Sequence, residues 1–252
     1  MSNVKNEDIR ECLHCLGYIY YKLRQYDTSI DYCKRALSMV ATPDINDSQI
    51  GHLYTMLAIA HFRTKQFDKG QECFEKSLEI YLKVLSNTNS RVAFTYYYIG
   101  CSYQRQKLYD KALQYYEKAL NIRILLLENE YNELRDSNRP EKIDMVNALD
   151  VGCGRCYYSI GRIFEKKEEF EKSISYHEKA LKILHKNSAL YDRDADIGGS
   201  YKSLGIAYEK LGNKAKAIEN YENAIFTFHV KFGATHKKTL SVLAKLKRIQ
   251  AI

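Results

Sequence analysis

The sequence predicts an all-α fold, a linear stack of five helical hairpins followed by one closing helix. One segment recurs five times, as LGYIYYKLRQYDTSIDYCKRAL from Leu16, LAIAHFRTKQFDKGQECFEKSL from Leu57, IGCSYQRQKLYDKALQYYEKAL from Ile99, IGRIFEKKEEFEKSISYHEKAL from Ile160 and LGIAYEKLGNKAKAIENYENAI from Leu204. The 252 residues include only 2 prolines and 12 glycines, which favours long helices over many short strands. A repeat of this kind is typical of a protein that acts through an extended surface.

Each copy of the segment has the same columns of small and large residues. A small residue in the middle of the first helix predicts that another helix approaches it closely. This column comprises Gly17, Ala58, Gly100, Gly161 and Gly205. In the second helix a larger residue is followed three positions later by a small one, a pattern that fits the groove of a neighbouring helix. These pairs are Cys33 and Ala36, Phe74 and Ser77, Tyr116 and Ala119, His177 and Ala180, and Tyr221 and Ala224.

The first copy carries Leu13, Leu16, Gly17 and Tyr20 at a spacing that resembles the helix-A signature of the tetratricopeptide repeat family. The resemblance implies a right-handed superhelical solenoid of five helix-turn-helix repeats plus a C-terminal capping helix, in a single domain spanning 1–252. The repeats cover about 10–40, 51–85, 93–130, 154–187 and 198–230.

The repeats are longer than the common form of that family. The spacing is 41 residues from Gly17 to Ala58 and 42 from Ala58 to Gly100, against a usual period of about 34. The closing proline is absent, so we expect the second helix of each repeat to run on. Repeats of this length resemble those of kinesin light chains and related cargo or scaffold proteins. The Asn-Leu-Ala of that class is missing from the helix-A signature here, so kinesin-type cargo recognition is not implied.

One insertion separates the third and fourth repeats. Gly100 and Gly161 are 61 residues apart, and the added segment 131–150 contains Ser137 and Pro140, which mark a turn. We expect a protruding loop, either a hinge or a tolerated surface insertion. The end of the segment, 141–150, is expected to prolong the next helix.

The end of the chain predicts a further helix over 235–252. Its apolar residues Val242, Leu243, Leu246 and Ile249 share one face. We interpret this helix as the cap that the last repeat of a solenoid needs. The alternative is a basic amphipathic helix that binds a membrane surface or calmodulin.

The resemblance also implies which residues line the concave inner wall. The candidate binding residues are His14, Tyr18, Lys22, Arg63, Tyr97, Arg105, Tyr158, Arg162, Lys166, Lys202 and Lys210. Tyr21, His52, Thr55, Ile59 and Phe94 are expected on the same wall. The asparagine with which chaperone-binding members grip a terminal carboxylate is absent, so a heat-shock-protein tail is not an expected ligand.

One column of this wall carries a cation in every repeat: Lys22, Arg63, Arg105, Lys166 and Lys210. The functional interpretation is a basic ladder that meets an acidic peptide, with nearby tyrosines as flat anchors. The other interpretation is that each cation lies in the last turn of its helix and complements the helix dipole. The two are compatible.

Other chemical signals are weak. Two CxxC strings, at Cys12–Cys15 and Cys153–Cys156, lie in different repeats, and we interpret these cysteines as small buried apolar residues rather than zinc ligands. His177 occupies a core column and is expected to be buried. Phosphate-loop and nucleophile-elbow motifs are absent. The sequence thus predicts no catalytic residue, no metal site and no cofactor.

The charge pattern argues against a nucleic-acid partner. The net charge is +8, but residues 226–252 contain no Asp or Glu and hold six of the cations, so the rest is nearly neutral. Seven cysteines without a signal peptide or a membrane span predict a cytoplasmic protein. We expect a non-catalytic adaptor that binds a peptide or helix, with acidic residues, of a partner protein. A ligand-sensing regulatory solenoid and a self-associating scaffold remain as alternatives, and the oligomeric state is left open.

Overall fold

The computed structural model describes residues 2–40, 47–137, 141–186 and 194–251. Within these ranges the chain forms eleven helices and no strand. They are α1 Ser2–Lys22, α2 Tyr26–Ser38, α3 Ser48–Arg63, α4 Phe67–Val84, α5 Ser90–Arg105, α6 Tyr109–Ser137, α7 Glu141–Lys166, α8 Phe170–Lys186, α9 Asp194–Lys210, α10 Lys214–Phe232 and α11 Lys237–Gln250. The first ten helices form five repeats, each with an A helix followed by a B helix. The prediction of an all-α solenoid of helix-turn-helix repeats is confirmed.

The helices form two compact units, Met1–Ile122 and Arg123–Ile252, called unit 1 and unit 2 below. In unit 1, α1 to α5 pack in sequence order, each helix on the next; in unit 2, α7 to α11 do the same. The core of each unit therefore forms between successive repeats. Cys33 and Ala36 of α2, for example, pack with Leu53 and Leu57 of α3.

All five A helices end in the same turn. In each turn an amide donates a hydrogen bond to a carbonyl five residues earlier, as Gln25 does to Tyr20 and Asn213 does to Tyr208. The residue before that amide has a left-handed backbone. These residues and their φ angles are Arg24 (61°), Lys65 (65°), Lys107 (62°), Glu168 (61°) and Gly212 (77°). The left-handed residue donates a second hydrogen bond, as Arg24 does to the Tyr21 carbonyl oxygen. The turn ends the A helix and leads the chain into the B helix.

The column of small residues lies where the two helices of a repeat touch. A Cβ atom added to Gly100 would lie 2.8 Å from the Tyr116 ring, and one added to Gly205 would lie 2.5 Å from the Tyr221 ring. At Gly161 the neighbour is His177, at 2.9 Å. These distances are too short for real carbon atoms, so the prediction of close helix approach is confirmed. His177 is fully buried, as expected for a core position.

The described part of the insertion 131–150 is helical, so the expectation of a protruding loop there is wrong. Helix α6 continues to Ser137 and α7 already begins at Glu141, which confirms that 141–150 prolongs the next helix; residues 138–140 lie outside the described ranges. Within unit 2, the buried Arg123 of α6 donates a hydrogen bond of 2.7 Å to the Gly152 carbonyl oxygen of α7. This buried hydrogen bond joins α6 to α7 across the insertion.

The closing helix packs as predicted. Val242, Leu246 and Ile249 of α11 are buried against Tyr221 and Phe228 of α10. The last repeat thereby gains the cover that an interior repeat receives from its successor.

The expectation for the cysteines is partly wrong. Cys33, Cys153 and Cys156 are buried, but Cys12 and Cys15 are exposed on α1. The reason is positional: α1 is the first helix of the described stack, so one of its faces has no repeat packed on it.

Candidate functional site

Unit 1 contains a groove of about 350 Å³, called the unit-1 groove below. It opens between the A helices α1, α3 and α5, with one residue of α4. The lining residues are Tyr18, Tyr21, His52, Thr55, Met56, Ile59, Tyr81, Ser90, Arg91 and Phe94. Most of this wall is aromatic or aliphatic, which is typical of a site that takes up apolar side chains.

Helical periodicity places the middle of the wall. One face of α3 carries His52, Thr55, Met56 and Ile59, because these positions are three or four residues apart along the helix. Tyr18 and Tyr21 likewise share one face of α1. The lining positions of α1 and α3 lie beside the buried columns of their repeats. The repeat pattern therefore predicts both the packed face and the groove face of each A helix.

Arg91 is the cation of the unit-1 groove. Helix α5 starts at Ser90, and the Asn89 side chain caps it by accepting a hydrogen bond of 2.9 Å from the Arg91 amide. The guanidinium carbon of Arg91 lies 6.0 Å from the centre of the Tyr81 ring. An arginine in the first turn faces an unfavourable helix dipole, so it is well placed to receive a carboxylate.

Two histidines close one side of the groove. His14 Nε2 and His52 Nδ1 are 2.8 Å apart, and the rings meet edge to face at 84°. Burial lowers the pKa of His52 to about 4, with smaller contributions from the charges of His14 and Arg91. Burial likewise lowers the pKa of His14. At neutral pH both rings are therefore uncharged, and the positive charge of the groove comes from Arg91.

A buried hydroxyl network holds the floor. The Thr55 hydroxyl lies 2.7 Å from the Ser77 hydroxyl and 3.4 Å from that of Tyr81. Ser77 donates to the Gly51 carbonyl oxygen at 2.8 Å. Burial raises the pKa of Tyr81, so its phenol stays protonated at neutral pH. The network fixes α4 against α3 and keeps the groove wall in one arrangement.

The five cations of the repeated column occupy the same position in their helices. Each of its members is the last residue of its A helix: Lys22, Arg63, Arg105, Lys166 and Lys210. Lys22 lies 5.1 Å from the Tyr18 ring, and Arg105 lies 4.0 Å from the Phe67 ring. All five side chains are exposed, and none of them lines the unit-1 groove.

The other candidates in unit 1 have different environments. Tyr18 lines the groove and His14 borders it through His52. Tyr97 is buried, and its ring centre lies 5.4 Å from that of Tyr116. It therefore contributes to packing between α5 and α6.

The candidates in unit 2 form a basic cluster. Arg162 lies 5.7 Å from the ring centre of Tyr158, which in turn packs edge-on against His177. The pKa of Lys202 is lowered, first by partial burial and then by the charges of Lys245 and other cations, among them Arg162 and Lys166. The charge of Glu165 opposes this shift, so the cluster also includes an acid.

Four lining residues were missed by the sequence-based prediction: Met56, Tyr81, Ser90 and Arg91. Arg91 precedes the predicted wall residue Phe94 by three positions, which is the spacing of one helical face. Extending the predicted face of α5 back by one turn would have found it. Tyr81 belongs to a B helix, and no pattern in the sequence indicates that it reaches the groove.

Comparison with known proteins agrees with this architecture. Family models described as tetratricopeptide repeat match residues 10–40, 49–124, 154–183 and 199–225, more than half of the chain. No curated protein sequence matches it. The part of the chain that the structure describes has no helix long and apolar enough to cross a membrane, and no three metal-binding side chains converge in it.

Several solved structures resemble the chain. BtubC (BKLC) from P. vanneervenii has a TM-score of 0.66 at 17% identity, over 92% of this chain and 84% of that one. A putative kinesin light chain from Podosopora anserina with nearly identical TPR-like repeats has a TM-score of 0.60 at 16% identity, over 88% and 95%. Aspartyl phosphate phosphatase F from Bacillus subtilis has a TM-score of 0.66 at 15% identity, over 100% and 57%. At these identities the likeness concerns the fold alone.

Proposed function

Because the chain belongs to the tetratricopeptide repeat family, we propose that it is a non-catalytic adaptor that holds a segment of a partner protein in the unit-1 groove. The observation that carries this proposal is the groove itself, an apolar wall with a single cation at one edge. Its volume suits one or two large side chains rather than a whole domain. We expect it to act in the cytoplasm.

The charge of the groove indicates the kind of segment. With His14 and His52 uncharged, Arg91 attracts an acidic residue or a terminal carboxylate. Met56, Ile59 and the tyrosine rings would take an aromatic or branched apolar side chain beside it. The proposed ligand is therefore a peptide or helix that carries an acidic residue next to an apolar anchor.

The exposed cation column would extend this preference. Within unit 1, Lys22 lies 5.1 Å from the ring of the lining residue Tyr18, so an acidic segment leaving the groove on that side would meet it. In unit 2 the cluster around Lys202, with Arg162 and Lys166, offers a second basic surface for an acidic segment. Exposed cations of this kind act mainly on the association rate and are screened by salt.

A random peptide library provides the test, since it selects ligands by their affinity alone. Peptides selected on the wild-type chain should be enriched in an apolar residue beside Asp or Glu. Arg91→Glu and Ile59→Asp should each weaken the selected peptides at least about tenfold, which corresponds to about 1.4 kcal/mol. Calorimetry on the purified variants measures the change.

Lys34→Glu is the matched control, because Lys34 is exposed on α2 outside the groove. It changes the net charge by the same amount as Arg91→Glu and should leave affinity unchanged. Charge reversal at Arg105 and Lys166 tests the cation column separately. If the selected peptides bind Arg91→Glu and Ile59→Asp as tightly as wild type, the groove is not the binding site.

A further inference from the structure

Helix α1 presents an apolar stripe to solvent. Ile9, Ile19 and Leu23 are 42%, 49% and 60% exposed, Cys12 is exposed and Leu16 is half-buried. These five residues, called the α1 stripe below, follow one another at intervals of 3, 4, 3 and 4. That spacing is the one by which two helices pack along a common seam.

The same positions are buried in every later A helix. The first four stripe residues correspond to Ile50, Leu53, Leu57 and Ala60 in α3, to Val92, Thr95, Ile99 and Ser102 in α5, to Cys153, Cys156, Ile160 and Ile163 in α7, and to Ile197, Ser200, Leu204 and Ala207 in α9. All sixteen of these residues are buried. In α3 three of them pack against the preceding repeat. The α1 stripe is therefore the packing face of an A helix without the helices that normally cover it.

The charges beside the stripe indicate what covers it. Asp8, Cys15 and Lys22 are spaced by seven residues along one edge of the stripe, and all three are exposed. If a second α1 packed in the opposite direction with its centre at Cys15, Asp8 would face Lys22 of the other copy, and Cys15 would face its own counterpart. A parallel pair would instead place Asp8 beside Asp8 and Lys22 beside Lys22. Edge charges of this kind set the orientation of paired helices.

We propose that the α1 stripe is a self-association surface, through which two copies of this chain pair by antiparallel packing of α1 against α1. The contact is isologous, so it closes at a dimer. It lies outside the unit-1 groove, so it goes beyond the adaptor function proposed above. Each copy would present its own groove, and a bivalent partner would gain affinity from binding both.

A head-to-tail chain of copies fits the surface less well. In a head-to-tail chain the stripe would meet the last helix in sequence, α11, whose exposed residues include Lys237, Lys247 and Arg248. Their charges would have to be removed from water against the apolar stripe, at a cost that no acidic partner on the stripe offsets. Symmetric pairing buries apolar residues against apolar residues.

The expected dimer is weak. Residues 9–23 span about 21 Å of helix, at about 1.5 Å per residue. One helix pair of this length buries less than the roughly 1,200–2,000 Å² of a standard interface. Dimerisation should therefore depend on concentration, and sedimentation equilibrium of the full chain up to about 100 µM should show it.

Variants on the stripe and on its edge test both the surface and the orientation. Ile19→Glu should abolish the dimer while leaving helix content and thermal unfolding unchanged, because Ile19 is exposed. Asp8→Lys and Lys22→Asp should each weaken dimerisation at least about fivefold, and the double exchange Asp8→Lys with Lys22→Asp should restore it. Lys34→Glu, on α2, should have no effect.

Crosslinking of the native cysteines gives an independent readout. A short bismaleimide, which joins two thiols without any oxidant, should link the two copies through Cys15, so that Cys15→Ser abolishes the product and Cys12→Ser does not. The proposal is overturned if the chain is monomeric at every concentration, if it forms oligomers larger than a dimer, or if the dimer survives Ile19→Glu. Failure of the charge exchange to restore the dimer rejects the antiparallel orientation. None of these outcomes depends on peptide binding in the groove.

Discussion

At the scale of single residues, two equivalent serines have different surroundings. Ser29 and Ser173 open the buried face of their B helices, and both are fully buried. The Ser29 hydroxyl donates to the Gly17 carbonyl oxygen at 2.8 Å, whereas the Ser173 hydroxyl has no hydrogen-bond partner among the described residues. A buried hydroxyl without a partner costs about 1–3 kcal/mol. The same column holds Ala112 and Ala217, so alanine fits there.

We therefore expect Ser173→Ala to raise the free energy of unfolding by about 1 kcal/mol and Ser29→Ala to lower it by about 1 kcal/mol. Urea denaturation of the two variants beside wild type measures both. The pair controls for the helix propensity of alanine, which is common to both changes. Loss of stability in Ser173→Ala would contradict the unpaired hydroxyl.

His177 makes stability depend on pH. Burial, and next the charge of Arg162, lowers the pKa of His177 to about 3, against about 6.5 in an unfolded chain. Between these values only the unfolded chain binds the proton. Stability due to this group is therefore complete above pH 6.5 and falls by about 1.4 kcal/mol per pH unit as the pH drops towards 3.

The variant His177→Phe should remove this dependence. Phe74 occupies the same column in the second repeat, so the ring fits the fold. Because both nitrogens of His177 lack partners among the described residues, the variant should also be more stable at pH 7, by about 1–2 kcal/mol. Denaturation curves at pH 7 and pH 5 give the comparison. An unchanged difference between the two pH values would show that other groups, such as His52, account for the effect.

At the scale of the elements, the turn between the A and B helices recurs, but four of its five copies lack the glycine that usually occupies a left-handed position. Four of the five left-handed positions hold Arg, Lys or Glu, and only the fifth holds glycine, Gly212. A left-handed backbone costs a residue with a Cβ atom about 1 kcal/mol. Lys65→Gly should therefore stabilise the chain by about 0.5–1 kcal/mol, and Gly212→Ala should destabilise it by about 1 kcal/mol.

Thr64→Gly is the control for this prediction, because Thr64 has an ordinary φ of −85°. There glycine adds freedom to the unfolded chain without relieving strain, and it also removes the hydrogen bond that the Thr64 hydroxyl donates to the Ala60 carbonyl oxygen. Stability should therefore fall by about 1–2 kcal/mol. Thermal unfolding of the three variants separates the two effects. If Lys65→Gly and Thr64→Gly change stability equally, the left-handed turn is not a source of strain.

The elements were predictable wherever the repeat columns run. Periodicity predicts the small residues at Gly100 and Gly205 and the core position of His177, because the same packing contact recurs in each of the five repeats. The segment 131–150 has no copy elsewhere in the chain, and its turn-forming residues outweighed its helical ones in the sequence. The buried hydrogen bond of Arg123 to Gly152, which joins the two helices that flank the segment, is a tertiary contact that a single sequence does not reveal.

The candidate site was predictable in part. The wall residues of α1, α3 and α5 follow from the A-helix face, and six of those expected line the unit-1 groove. Arg91 was missed because the predicted face stopped one turn early, and Tyr81 because it reaches the groove from a B helix. The exposure of Cys12 and Cys15 reflects the position of α1 in the described stack, whereas their residue type is typical of a core.

At the scale of the whole molecule, stability in a repeat array depends on contacts between neighbours. In unit 2 these contacts end at α11, where Val242 is fully buried against α10. Val242→Asp places a charge in that contact, and the cost should exceed about 3 kcal/mol. Because each helix packs chiefly on its sequence neighbours, the loss should be greatest in α10 and α9.

Hydrogen exchange followed by mass spectrometry can locate that loss. Amides of α9 and α10 should exchange faster in Val242→Asp, while those of α1 to α4 keep their wild-type rates. Leu240→Asp serves as the matched control, because Leu240 is 49% exposed on the same helix and should change neither set. Equal acceleration in α1 to α4 would mean that the chain unfolds as one cooperative body. Unchanged protection in α9 and α10 would mean that α11 contributes nothing as a cap, and its basic face would then need another explanation.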